Sequence, residues 1–130
     1  MLVLLLKTNQ ERARLYLYEQ DHKLAEHYWR AGKNLAETIN LEIERLLSSA
    51  NKTLNSLDGI GVYGGPGSFT GLRIGISLAN ALAYSLQVAV VKSSGSNWKQ
   101  QALNRLTSGD NEYIVVPDYG AAAKITTPRK

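Results

Sequence analysis

The sequence predicts an α/β fold: a mixed sheet with helices packed on it, in the order β-β-β-α-β-α-β-α-β. Three observations predict it. An apolar run and two alternating segments, joined by short polar links, occupy the first thirty residues. The hydrophobic period then changes from 2 to 3.6. From there, helical stretches and short apolar runs take turns to the end of the readable pattern.

Residues 2–6 are apolar throughout, as a strand buried on both faces should be. Residues 12–18 alternate, with Arg12, Arg14, Tyr16 and Tyr18 on one face and Ala13, Leu15 and Leu17 on the other. Residues 19–22 form a polar turn, and residues 23–30 make a third strand with mixed faces, ending in Tyr28-Trp29-Arg30; an antiparallel meander follows. Over residues 33–50, Leu35, Ala36, Ile39, Ile43, Leu46, Leu47 and Ala50 share a helical stripe about 120° wide, opposite Glu37, Glu44 and Ser48. Residues 57–63 read as a strand, 72–86 as a helix and 88–91 as a strand. A third helix over 97–106 has Ser93 or Ser96 as its cap and is stopped by Ser108-Gly109. A last short strand is expected over 113–116, interrupted by Pro117. Residues 1–119 are expected to form one domain, and residues 120–130 a frayed basic tail with Lys124, Arg129 and Lys130.

A chain of 130 residues suits a single domain and can bury about two-thirds of the surface its unfolded form exposes. The composition, 44% hydrophobic and 20% charged, is that of a globular protein. Absence of cysteine excludes disulfides, thiolate metal sites and a thiol nucleophile. The apolar run at Leu2–Leu6 is too short for a signal-peptide core or a bilayer span and has no basic residues before it, so a cytoplasmic address and no membrane contact are expected. The net charge of +4 is spread along the chain rather than gathered in a stripe with interleaved aromatics, which gives phosphate a weak general attraction without marking a nucleic-acid module. His22 and His27 fall on different faces, so no metal site and no Ser-His-Asp arrangement is expected. Asp58 and Asp118 sit beside strands, and nothing in the spacing pairs them. Trp29 and Trp98 are assigned to packing.

One motif is informative: Val62-Tyr63-Gly64-Gly65-Pro66-Gly67-Ser68-Phe69-Thr70-Gly71-Leu72-Arg73-Ile74-Gly75. It is a glycine-rich turn between a strand and a helix, which glycine permits by adopting positive φ and by close approach, and which Pro66 stiffens. Ser68 or Thr70 is the expected cap of the helix. No Walker lysine follows the glycines, and the spacing is not the dinucleotide fingerprint. Two readings stand: a tight strand–helix corner, or an anion cradle at a helix start.

In the helix after the motif, Arg73, Ser77, Asn80, Tyr84 and Gln87 form a narrow polar strip. Leu72, Ile74, Gly75, Ile76, Leu78, Ala79, Ala81, Leu82, Ala83 and Leu86 fill the remainder. A helix covering one sheet needs a stripe of only about 100°. The surplus is covered either by the first helix of the same domain or by a partner, and Gly75, Ala79 and Ala83 would let another helix come close.

The string from Gly65 to Gly75 resembles the signature of the TsaB (YeaZ) family. The flanking Ser56-Leu57-Asp58-Gly59-Ile60-Gly61-Val62 and Ala81-Leu82-Ala83-Tyr84-Ser85-Leu86 agree, so that the likeness runs clearly from about residue 35 to residue 91 and faintly over the rest. The resemblance implies the actin-like ATPase (ribonuclease H-like) half-unit and a glycoprotease-like, M22-like kinship. It implies a non-catalytic subunit that pairs with a TsaD-like catalytic protein, and with a TsaE-like ATPase, in making tRNA threonylcarbamoyladenosine. ATP would be bound by that complex rather than by this chain, so no cofactor of its own is expected, and tRNA is met only indirectly. Alone, the same surface predicts a homodimer.

The interface is expected on the two helices flanking the loop, through Leu35, Ile39, Ile43, Leu46, Leu72, Arg73, Ile76, Ala79 and Ala83, beside a loop of Gly64, Gly65, Pro66, Gly67, Ser68, Phe69, Thr70 and Gly71. Departures from the family pattern bear on chemistry. Lys7-Thr8-Asn9 stands where members have an Asp-Thr-Ser-like stretch, which removes a carboxylate that would hold a metal-bound phosphate. Gly32-Lys33-Asn34 replaces a His-Ser-Glu-like opening, and Asp118-Tyr119-Gly120 matches an Asp-Ala-Arg region without its arginine. Members are nearly twice as long, so a two-lobed cleft within this chain is not expected. An ATP-binding or peptidase-like enzyme, and a module binding tRNA directly, are the competing readings.

Overall fold

The computed structural model describes residues 1–67 and 69–118. Five strands form one sheet in the order β3-β2-β1-β4-β5: β1 (Leu2–Lys7), β2 (Arg12–Glu19), β3 (His22–Arg30), β4 (Gly59–Tyr63) and β5 (Ala89–Ser93). The first three pair antiparallel, while β4 and β5 join β1 in parallel. Three α-helices follow the crossovers: α1 (Leu35–Ser49), α2 (Phe69–Leu86) and α3 (Trp98–Thr107).

Strand β1 is apolar throughout because the sheet is covered on both faces. Its Leu2, Leu4 and Leu6 join Ala13, Leu15, Leu17, Ile60 and Val62 under α1 and α2, while Val3 and Leu5 join Tyr16, Val91 and the inner face of α3. The alternation expected along β2 is therefore real. The edge strand β3 is exposed and carries Lys23, Glu26 and Arg30, charges that discourage pairing with another chain. Glu42 of α1 lies buried against His27 Nε2, and His27 stacks on Trp29, so this histidine is held as packing.

Where the structure departs from the sequence reading, side chains explain why. No strand forms at 113–116. Asn111 Oδ1 accepts the Val90 amide at 3.1 Å, and Glu112 Oε2 accepts the Lys92 amide at 2.6 Å. The edge of β5 is thus capped by these side chains and by one backbone bond, from the Glu112 amide to the Val90 carbonyl at 2.9 Å, rather than by a sixth strand. Tyr113 takes φ 67° and turns the chain away, and Val115 is tied at both its amide and carbonyl to the Asn80 side chain of α2. Arg105 of α3 secures the segment through Asp110, Glu112 and the Lys92 carbonyl. The caps differ as well. Helix α3 starts after Asn97, while Ser93 Oγ donates to the Trp98 carbonyl. Thr70 lies inside α2 rather than at its cap. The expectations for Ser68 and for the tail 120–130 lie outside the described residues.

The apolar surplus of α2 is covered from within. Ile76, Ala79 and Ala83 of α2 and Leu35, Ile39, Ile43 and Leu46 of α1 are each at most 4% exposed, inside the core they share with the sheet, and Leu72 is fully buried as well. Helices α1 and α2 touch each other as well as the sheet. Of the nine residues expected at a partner interface, only Arg73 is exposed. One flat sheet would leave that surplus bare, but small residues let α2 lie close and α1 closes one flank.

An Ile76→Glu change accordingly buries an unpaired carboxylate and is expected to cost more than about 4 kcal/mol, read as loss of cooperative thermal unfolding in the isolated chain. Arg105→Ala is expected to cost about 1–2 kcal/mol and to speed hydrogen exchange at the Val90 and Lys92 amides while leaving that of β1 unchanged.

Candidate functional site

The glycine-rich corner is closed by the chain's own side chains. A Cβ on Gly64 would fall 2.1 Å from Lys92 Cγ, one on Gly65 2.1 Å from the Asp118 carbonyl oxygen, and one on Gly67 2.4 Å from Asn9 Cβ. Gly65 also has φ +119°, a conformation open to glycine and costly for other residues. The Asp118 amide donates to the Gly64 carbonyl at 2.8 Å, and Asn9 Nδ2 reaches the Pro66 carbonyl at 3.4 Å. Of the two sequence readings of the motif, the tight corner is the one this geometry supports.

The Lys7-Thr8-Asn9 stretch clamps that corner. Thr8, 1% exposed, donates from Oγ1 to the Gly71 carbonyl at 2.7 Å. It also fills the place a side chain at Gly75 would take, since a Cβ there would meet Thr8 Oγ1 at 2.1 Å. The end of β1 is thus locked into the first two turns of α2.

Lys7, on the opposite face from Thr8, looks into a recess of about 490 Å³ lined by Gln10, Arg14, Tyr16, Tyr63, Trp98 and Lys99 among others. Burial and, after it, the charge of Arg14 hold the Lys7 ammonium below the ordinary lysine range. Sequence reasoning counted Lys7 only as a lost acid. The hairpin register that places it opposite Arg14 was the available signal.

Other singled-out residues do not converge. Asp58 sits at the start of β4, accepting the Leu2 amide at 2.8 Å, whereas Asp118 binds beyond the other end of that strand. Trp98 is core and Trp29 is half-buried, its Nε1 donating to Thr38 at 3.0 Å. Among the described residues no three His, Asp or Glu side chains gather as metal ligands, and no helix is long and apolar enough to cross a membrane.

The Thr8–Gly75 contact gives a direct test. Gly75→Ala is expected to destabilise by about 1–3 kcal/mol through overpacking. Adding Thr8→Ala should recover at least about 1 kcal/mol of that loss, a coupling measured by urea denaturation of the double-mutant cycle.

Comparison with known proteins places this geometry. The family model for TsaD, tRNA N6-adenosine threonylcarbamoyltransferase, matches residues 29–95. The tRNA threonylcarbamoyladenosine biosynthesis protein TsaB of Bacillus subtilis is 32% identical over 90 residues, covering 69% of this chain and 39% of that protein. A tRNA N6-adenosine threonylcarbamoyltransferase of Geotalea daltonii is 43% identical over 61 residues, covering 47% of this chain and 18% of that protein. Among solved structures, YeaZ from Pseudomonas aeruginosa superposes with a TM-score of 0.67 at 29% identity, covering 77% of this chain and 49% of that one. A second structure, described as a protein with similarity to peptidase YeaZ from the same organism, gives 0.69 at 30% identity over 82% and 49%. The chain spans about half the length of these structures and less of the curated relatives. The fold is the α/β half-unit of the actin-like, ribonuclease H-like kind expected from the sequence. With half of its length matched by the family model, the chain belongs to the family of the tRNA N6-adenosine threonylcarbamoyltransferase TsaD, and the TsaB/YeaZ proteins are its homologues.

Proposed function

We propose that this chain is a non-catalytic subunit that supports tRNA threonylcarbamoyladenosine formation by pairing with a TsaD-like catalytic protein, together with a TsaE-like ATPase. The observation that carries the reading is the Lys7-Thr8-Asn9 corner in a member of this family. A lysine stands where an acid would hold a metal-bound phosphate, and Thr8 and Asn9 are spent on clamping the glycine loop. The loop is thereby an architectural element rather than an open cradle of amides. ATP is then handled by the complex and not by this chain.

Pairing uses the outer strip of the same two helices whose inner faces form the core. On α2 this strip runs through Arg73, Ser77, Ala81 and Tyr84, all exposed, with Ile74 and Leu78 half-buried beside it. On α1, Leu41 is 49% exposed. A groove of about 350 Å³ between the first turns of α1 and α2, lined by Leu35, Gly71 and Ile74 among others, continues the surface. Ala81 is small enough for a partner helix to approach closely. Without a partner, the same strip is expected to pair two copies of the chain.

The test is chromatography with light scattering of this chain mixed with the TsaD protein of its organism. A one-to-one association is expected, with Ala81→Arg and Arg73→Glu each weakening it at least tenfold while circular dichroism stays unchanged. A chain that remains a strict monomer and never associates with TsaD contradicts the proposal.

A further inference from the structure

The recess on the other side of the sheet has a charge pattern that packing alone does not account for. Lys7 and Arg14 are directly opposed in the β1–β2 register, a placement of like charges that destabilises a strand pair. Lys99, in the first turn of α3, brings a third cation to the same lining. Among the described residues none of the three forms an ion pair with a carboxylate. The acid nearest in influence, Glu26 of β3, feels Lys99 and Arg14 but is hydrogen-bonded by Lys23.

Aromatic rings hold the cations in place. Lys99 Nζ lies 4.1 Å from the centroid of Tyr16 and Lys7 Nζ 4.8 Å from that of Tyr63. Both rings meet Trp98 edge-on, at 6.0 and 5.7 Å. Cation–ring attraction fixes an ammonium without neutralising it, so the positive field of the recess persists. Helix α3, ten residues long, opens at the same wall, and its Asn97 makes no side-chain cap bond. The positive end of a helix dipole therefore adds to the three cations.

We propose that this recess, between the end of β1, Arg14 of β2 and the start of α3, binds a phosphate group without a metal ion. With Lys7 on Tyr63 and Lys99 on Tyr16, these ring faces are already capped, so the site reads phosphate and not a stacked base. Its source is either a small polyphosphate or the backbone of an RNA strand. The proposal is independent of pairing through α1 and α2, which lie on the opposite face of the sheet.

The experiment is a titration of the full chain, with EDTA present, against inorganic pyrophosphate and against a 20-nucleotide RNA of mixed sequence, followed by calorimetry and Trp98 fluorescence. Lys99→Glu and Arg14→Gln are each expected to weaken binding at least tenfold with thermal unfolding preserved, whereas Lys52→Glu, at the other end of the sheet, leaves it unchanged. Saturation by pyrophosphate with no gain for RNA identifies a small-phosphate site. RNA binding at least tenfold tighter, with a log–log salt slope of about −2 for three contacts on a single strand, identifies a strand site. Binding of neither probe, or equal weakening by Lys99→Glu and Lys52→Glu, overturns the proposal.

Discussion

Helix α2 is held to the sheet at backbone distance, and most of the molecule follows from that contact. Thr8, at the end of β1, occupies the volume a side chain at Gly75 would need and donates to the Gly71 carbonyl. The approach is possible only because glycine and alanine line the helix where it meets the strand. Once α2 lies that close, Leu72, Ile76, Ala79 and Ala83 are shielded. The loop before it must turn so tightly that Gly64, Gly65 and Gly67 have no room for side chains. The motif that reads like a phosphate loop is, in this chain, the consequence of a packing constraint.

That constraint separates two surfaces. On one face of the sheet, α1 and α2 spend their apolar sides on the shared core and leave an outer strip of small, polar and half-buried groups, the strip proposed above for pairing. On the other face, α3 lies chiefly over β4 and β5 and reaches Val3, Leu5 and Tyr16 with its inner side. Beyond them, Lys7 at the end of β1 and Arg14 opposite it on β2 are left part-exposed beside α3, where the cations gather. Lys7, at a position where the family resemblance leads to the expectation of an acid, adds a charge to the recess.

Much of the fold was legible because its signals are local. The unbroken apolar run of β1, the alternation of β2 and the helical stripe of α1 each follow from the side-chain period alone. The segment at 113–116 was misread for an equally physical reason. Its Tyr-Ile-Val-Val composition favours a strand, but Asn111 and Glu112 take the β5 amides with side chains, an arrangement no periodicity encodes. Apolar width on α2 measures how much must be covered, not what covers it, and eight of the nine residues expected at a partner face lie buried within the chain itself. Arg73, Ser77, Tyr84 and Gln87, which the helical period puts on one polar strip, are all left exposed. The recess escaped notice because Lys7, Arg14 and Lys99 come from three elements and meet only through the hairpin register and the α3 crossover.

Hydrogen exchange of the isolated chain, followed residue by residue, addresses the central claim directly. If α2 is clamped by Thr8 and buried by its own sheet and α1, its amides from Leu72 to Ala83 should exchange as slowly as those of β1 and β4, with no partner present. Should those amides exchange fast, as in a locally opening segment, and gain protection only when a partner protein is added, then the partner completes the inner face of α2, and the clamp and self-burial of this helix are contradicted.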